Sequence, residues 1–285
     1  MKTAIVTDSN SGIFEEEAKK LGIYSISMPI IIEEKTYFEG KDLSYKDFYQ
    51  SLIENKKVST SQPSLGDVID TWDHLLSLGY EDIVYIPMSS ELSGSYYTAY
   101  MLASHYDGKV QVVDNHRISV TLKQSVLNAK KLAESGCSAF EIKRILEKNT
   151  YESIIYVGVE TLEYLKKSGR VTAAGAAIGS ILHIKPLLVI KGGKLDAYAK
   201  VKGTKKCKKT LLEAVKKDVE RFHGNGNEIS IGVASSFLSP EEDKEWMDMV
   251  QKVFPEEDIF YNPLTLSIGS HVGPGAFGIG ISKKI

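Results

Sequence analysis

Two stretches of this sequence gather hydroxyl groups where a chain enters a helix. Thr60-Ser61-Gln62-Pro63-Ser64 precedes an amphipathic stretch carrying Val68, Ile69, Trp72 and Leu75-Leu76, with Ser64 placed to cap it. Pro87-Met88-Ser89-Ser90-Glu91-Leu92-Ser93-Gly94-Ser95 follows a strand-like run and opens the next helical pattern. Free backbone N–H groups at a helix start, beside short hydroxyl side chains, suit a carboxylate or a phosphate. Ser93 therefore reads as a helix cap, as an anion ligand, or as both. As a nucleophile it lacks the usual setting, because Gly-x-Ser-x-Gly is not met: Glu91 stands two residues before it and Gly94 directly after. A serine-dependent acyl hydrolase using Ser93 stays as the alternative reading.

Two further groups could serve an acidic head group. His271 sits in Gly269-Ser270-His271-Val272-Gly273, where small residues allow close approach and an imidazole can donate to an anion. Arg170 follows Leu165-Lys166-Lys167-Ser168-Gly169, a helix end closed by glycine, and its guanidinium could fork onto a carboxyl or phosphoryl group. The Ala/Gly-rich run Val171 to Gly179 fits either close helix packing or the wall of a narrow apolar tunnel. Gly273-Pro274-Gly275-Ala276-Phe277-Gly278 matches Gly-x-Gly-x-x-Gly but leads into a strand at the chain end, the wrong context for a dinucleotide. Lys200, Lys202, Lys205, Lys206, Lys208 and Lys209 form a basic run without interleaved aromatics, which reads as a solvated helix entrance or a surface for an acidic protein.

The elements that must position these groups follow from periodicity. Strand-like Thr3–Thr7, Ile83–Met88 and Val110–Val113 alternate with helical Gly12–Leu21, Ser93–His105 and Ser119–Glu134, a βαβ rhythm that implies a parallel sheet. Ile23–Ile32, with Pro29, reads as an edge strand or hairpin arm. After the apolar run Ser153–Val159 the texture changes. A Gly192-Gly193 turn links Leu187–Ile190 to Leu195–Val201, and helices at Lys205–Phe222 and Pro240–Phe254 flank strands at Ile229–Ala234 and Ala276–Ile281. The expected fold is α/β: an N-terminal parallel-sheet α/β domain, 1–153, and a C-terminal α+β domain, 154–285, with an antiparallel sheet.

Composition narrows the function classes. With 285 residues, 42% hydrophobic, 25% charged and a net charge of −2, the chain is that of a soluble globular protein with sizeable cores. A pI near 6.3 argues against nucleic acid as a partner. Cys137 and Cys207, far apart, indicate neither a disulfide framework nor a zinc site. The start lacks a signal-peptide pattern, and Val171–Ile184 is shorter than the roughly 20 residues of a spanning helix. A cytoplasmic protein without a transmembrane anchor is expected.

Taken together, the ordered motifs resemble the DegV family. They are Thr7-Asp8-Ser9, Thr60-Ser61-Gln62-Pro63-Ser64, Ser89-Ser90-x-Leu92-Ser93-Gly94-Ser95-Tyr96, Ser168-Gly169-Arg170, Lys185-Pro186 and His271-x-Gly273-Pro274-Gly275. The resemblance spans the chain from first strand to last. It implies two domains with a ligand tunnel between them, holding a long-chain fatty acid such as palmitate, with no other cofactor and no metal. It further implies carboxyl binding by Thr60, Ser61, Ser93 and Gly94, and head-group presentation by Arg170 and His271. In FakB-type members the acid is presented to a separate fatty-acid kinase for acyl-phosphate formation, feeding phospholipid metabolism with transient membrane contact. The chain would then be a lipid-binding carrier, not an enzyme; it has no Gly-x-x-x-x-Gly-Lys-Ser/Thr loop for ATP. It departs from the family at Lys202, where relatives often carry arginine, since lysine cannot reproduce a bidentate fork.

Overall fold

The computed structural model describes residues 2–177 and 184–285. The first strand, β1 (Thr3–Asp8), is followed by α1 (Glu15–Leu21), β2 (Tyr24–Ile26), β3 (Pro29–Ile32), β4 (Lys35–Phe38), α2 (Tyr45–Ile53), β5 (Val58–Thr60) and α3 (Leu65–Ser77). Next come β6 (Asp82–Ile86), α4 (Ser95–Ala103), β7 (Val110–Val112), α5 (Ser119–Glu134) and α6 (Ala139–Lys148). Strands β2-β1-β6-β7 form a four-stranded sheet, parallel throughout. Ala4, Ile5 and Val6 are buried on both faces of β1, as a helix-covered parallel strand requires. The strand order reverses at β1, so the carboxyl ends of β1 and β6 mark the crevice where ligands of open α/β sheets sit.

The run Ile23–Ile32 divides between two sheets. Its first part is the parallel edge strand β2, and its second, β3, sits between β4 and β5 in a separate antiparallel sheet. The division falls where Met28 N turns to donate to Ser9 Oγ at 3.0 Å.

Local chemistry fixes the helix that follows the Thr60–Ser64 loop. Ser64 Oγ accepts from Asp67 N at 3.0 Å, capping α3, and Val68, Trp72 and Leu75 repeat at helical spacing on its buried face. Trp72 packs edge-on against Tyr85 of β6, with ring centroids 5.8 Å apart. This cluster is one hydrophobic core of the first unit.

The later chain runs β8 (Ser153–Gly158), α7 (Glu163–Ser168), α8 (Ala173–Ala176), β9 (Ile184–Ile190), β10 (Asp196–Lys202) and α9 (Thr204–Gly224). It ends with β11 (Ile229–Ser235), α10 (Pro240–Val253), β12 (Ile259–Tyr261), α11 (Leu266–Val272) and β13 (Phe277–Lys283). Strand order is β10-β9-β8-β13-β11-β12, antiparallel except for β11 with β12. The Gly192-Gly193 turn joins β9 and β10. Ser239 and Glu242 form a capping box that starts α10 with Pro240 in its first turn, and Trp246 meets Phe277 in the core.

The chain divides into two units: Met1–Tyr151 with Thr265–Ser267 and Ile285, and Glu152–Leu264 with Ile268–Lys284. The first unit thus ends at Tyr151, where composition suggested residue 153, and it takes in three residues from near the chain's end. The Ala/Gly-rich run begins as the single turn α8, capped by Thr172; its continuation, residues 178–183 with Gly179 and His183, lies outside the described residues. Among the described residues, no helix is long and apolar enough to cross a membrane.

Trp72→Ala is expected to cost about 3–5 kcal/mol in urea unfolding, because it empties a fully buried site. Leu65→Ala, at a half-exposed position, should cost under about 0.5 kcal/mol. Equal losses in the two variants would contradict this core assignment.

Candidate functional site

In the first unit the two hydroxyl loops meet through Gln62. Thr60 ends β5 opposite Ile30, and Ser61 N donates to Pro29 O at 3.2 Å, which fixes the start of the loop on the small sheet. Gln62 then reaches α4, where Thr98 Oγ1 donates to its Oε1 at 3.2 Å. A Cβ on Gly94 would lie 3.2 Å from that same oxygen, so glycine leaves room for the junction.

The second loop is wound tightly. Ser89 N donates to Arg117 O, and Leu92 N and Ser93 N both donate back to Ser89 O, at 3.0 and 3.1 Å. Ser93 Oγ accepts from Ser95 N at 3.2 Å and lies 2.8 Å from Ser95 Oγ. Gly94, not Ser93, is the N-cap residue of α4 and brings no capping side chain. Ser93 therefore steadies the helix entrance while its partly exposed hydroxyl stays beside a second one. Neither Ser95 atom is a base that could take its proton.

Behind these loops, at the end of β1, lie two carboxylates withdrawn from water. Asp8 accepts from Met88 N through one oxygen and from Asn10 N and Asn10 Nδ2 through the other, each at 2.9 Å. It thereby ties the end of β1 to the loop after β6. Burial pushes the Asp8 carboxyl up to about 6 in spite of these bonds. Glu39, just after β4, accepts from Ser9 Oγ at 2.7 Å and from the Leu266 and Ser267 amides. Burial pushes it up to about 7, with the charge of Asp8 adding to the effect.

In the second unit Arg170 and His271 act on one another. Gly169 closes α7 in the left-handed conformation, with φ of 70°, and Arg170 follows with its carbonyl accepting from Leu195 N at 3.1 Å. The Arg170 guanidinium also donates to Ser168 O. His271, near the end of α11, is pushed down to about 4, first by burial and then by the Arg170 charge. Near neutral pH the imidazole is thus uncharged, and Arg170 carries the positive charge of this pair.

The glycines after His271 are required by close contacts. Gly273, at φ +76°, faces Tyr164, whose ring carbons would lie 2.5 Å from an added Cβ; Gly275, at φ +80°, faces Glu160 at 2.7 Å. Ser236 bonds both sides of this loop, donating to Gly273 O at 2.7 Å and accepting from Ala276 N at 2.9 Å. Gly-x-Gly-x-x-Gly here is a loop that turns into β13, where a dinucleotide fingerprint would open a helix. Cys207, its thiol pushed up to about 11 by burial, is not a reactive cysteine.

Thr60, Ser61, Ser93 and Gly94 thus lie on two loops joined within the first unit, and Arg170 and His271 form a pair within the second. Gln62 and Glu39 carry no comparable signal in the sequence. Gln62 sits among hydroxyl residues that draw the eye, and Glu39 resembles any exposed hairpin carboxylate.

Fold and loops together define a two-unit α/β protein with paired hydroxyl loops at the carboxyl end of a parallel sheet. The sequence pattern of the DegV family matches residues 2–284. The chain belongs to the DegV family. It is 31% identical over 285 residues to a DegV domain-containing protein of Deinococcus radiodurans, covering 99% of this chain and 98% of that one. A relative in Clostridium acetobutylicum is 30% identical, covering 98% and 97%. The structure of a fatty-acid-binding DegV family protein from Thermus thermophilus aligns with a TM-score of 0.88 at 26% identity, over 99% of this chain and 100% of that one. The fatty-acid-binding DegV family protein of Streptococcus agalactiae gives a TM-score of 0.87 at 27% identity, over 100% and 99%.

Both buried carboxyls titrate higher in the fold than in an unfolded chain, so the native state holds more protons between about pH 4 and 7. Their contribution to stability is present at the acid end and is lost as pH rises through about 6 to 7. Asp8→Asn should flatten the decline in unfolding free energy between about pH 4 and pH 7, followed by urea titration. An unchanged slope would contradict the burial of an ionisable Asp8.

Proposed function

We propose that this protein binds a long-chain fatty acid, the two hydroxyl loops of its first unit taking the carboxyl group. The observation that carries this reading is the Gln62 junction, which brings Thr60-Ser61 and Ser93-Gly94 together beside the carboxyl ends of β1 and β6. Whole-length similarity to DegV proteins described as fatty-acid-binding supports the choice of ligand.

The chemistry is consistent. A carboxyl group leaving water needs hydrogen bonds, and hydroxyls meet both of its protonation states because they donate and accept. The acyl chain supplies affinity: at about 0.8 kcal/mol per CH₂, burying palmitate gives roughly 12 kcal/mol before association costs are subtracted. Such a ligand is stored, not turned over.

Arg170 and His271 are assigned to presentation of the head group. A charged guanidinium beside a neutral imidazole suits a carboxyl that is to become an acyl phosphate, since charge accumulates on that group during phosphoryl transfer. The ATP and its loop would come from a partner fatty-acid kinase. This makes the chain a cytoplasmic carrier subunit serving phospholipid metabolism, with transient membrane contact for loading. The alternative, an acyl hydrolase, needs a base at Ser93. The hydrogen-bond partners of its Oγ among the described residues are Ser95 N and Ser95 Oγ.

Ser93→Ala should weaken binding of a fluorescent fatty acid by about tenfold, the loss of one or two hydrogen bonds to a carboxylate. Arg170→Ala should leave binding within about threefold and instead reduce phosphorylation by a fatty-acid kinase by at least about tenfold. Equal loss of binding in both variants would contradict this division of roles. Labelling of Ser93 by a fluorophosphonate would favour the hydrolase.

A further inference from the structure

Glu39 is far in sequence from two of the residues it holds. Its carboxylate, 1% exposed, accepts from the Leu266 and Ser267 amides, more than two hundred positions away in sequence, and from Ser9 Oγ. Ser9 Oγ in turn accepts from Met28 N. Leu266 and Ser267 open α11, and their amides belong to the first-turn donors that have no partner inside a helix. The residue placed to cap them locally is Thr265. Its Oγ1 is buried and makes no hydrogen bond, so the Glu39 carboxylate, just after β4, takes the role that a local hydroxyl usually has. A negative charge is also what the start of a helix favours.

Helix α11 is short, and His271 lies near its end. Its first two residues belong to the first unit and the rest to the second. We propose that Glu39 is a positioning residue for the head-group site: it caps α11 from the segment after β4 and so fixes the helix that carries His271. This rests on the reading of His271 as a head-group residue.

The cap is sensitive to protons. An ionised Glu39 offers only acceptors, matching its three donors. A protonated one must donate from one oxygen and loses part of that match. Burial and the Asp8 charge bring this change to about 7. Asp8, on β1, is the charged group acting on Glu39 among the described residues. The facing groups on the other elements are the Ser9 hydroxyl and the two α11 amides. His271, pushed down to about 4, does not itself titrate there.

Amide hydrogen exchange on the full-length protein tests the cap without any ligand, and phosphorylation of bound oleate by a fatty-acid kinase between about pH 6 and pH 8 tests its consequence. Glu39→Ala should speed exchange at the start of α11 and slow phosphorylation of bound oleate by a fatty-acid kinase, each by at least about tenfold, while oleate binding stays within about threefold as in Arg170→Ala. Glu39→Gln, an acceptor of the same length that does not titrate, should flatten the pH dependence of both readouts relative to the wild type. Unchanged α11 exchange in Glu39→Ala would overturn the proposal, and so would a Glu39→Gln profile that follows the wild type. If Glu39→Ala fails to fold, the Glu39→Gln profile decides. A wild type that takes up no oleate would instead sink the fatty-acid reading and leave the exchange result to judge the cap.

Discussion

The end of the parallel sheet is organised by carboxylates that have lost their water. Asp8 has no solvent to turn to, so it gathers three N–H donors, and one of them, Met88 N, belongs to the loop that carries Ser89 to Ser95. The hydroxyl loop is therefore anchored to β1 by a bond that burial makes expensive to break. Glu39 repeats the device a short distance away, collecting Ser9 and the start of α11. The cost of hiding these charges is visible in their upward-shifted titration. What it secures is the tie between the end of β1, the loop after β6 and the first residues of α11.

Gln62 adds the lateral constraint. One amide oxygen receives Thr98 and fills the space that Gly94 leaves open, so the Thr60–Ser64 loop and the start of α4 keep a fixed spacing. The hydroxyls can then remain on partly exposed loops while the parts that fix them are buried or bonded, an arrangement suited to holding a ligand by its polar end. In the second unit, Gly273 and Gly275 do comparable work by sterics: each sits against a side chain that would collide with a Cβ.

Much of this was legible in the sequence. The βαβ rhythm, the Ser64 cap, the Gly192-Gly193 hairpin and the antiparallel second sheet follow from local periodicity and turn chemistry, which are written in adjacent residues. Short elements were not: α7, α11 and β12 are too brief to show a period, and the split of Ile23–Ile32 depends on Ser9, far away in the chain. Gln62 and Glu39 were hidden for the same reason, because their roles are set by non-local partners at Thr98 and Leu266. The sequence puts the Ser93 hydroxyl near a helix entrance, and in the structure the N-cap is Gly94, one residue after the serine.

The central claim is that these loops hold a fatty acid, and the most direct test is mass spectrometry of an organic extract of the purified protein. A long-chain fatty acid in near-equimolar amount is the predicted result. A pocket that is empty after purification and takes up neither palmitate nor oleate would contradict the account.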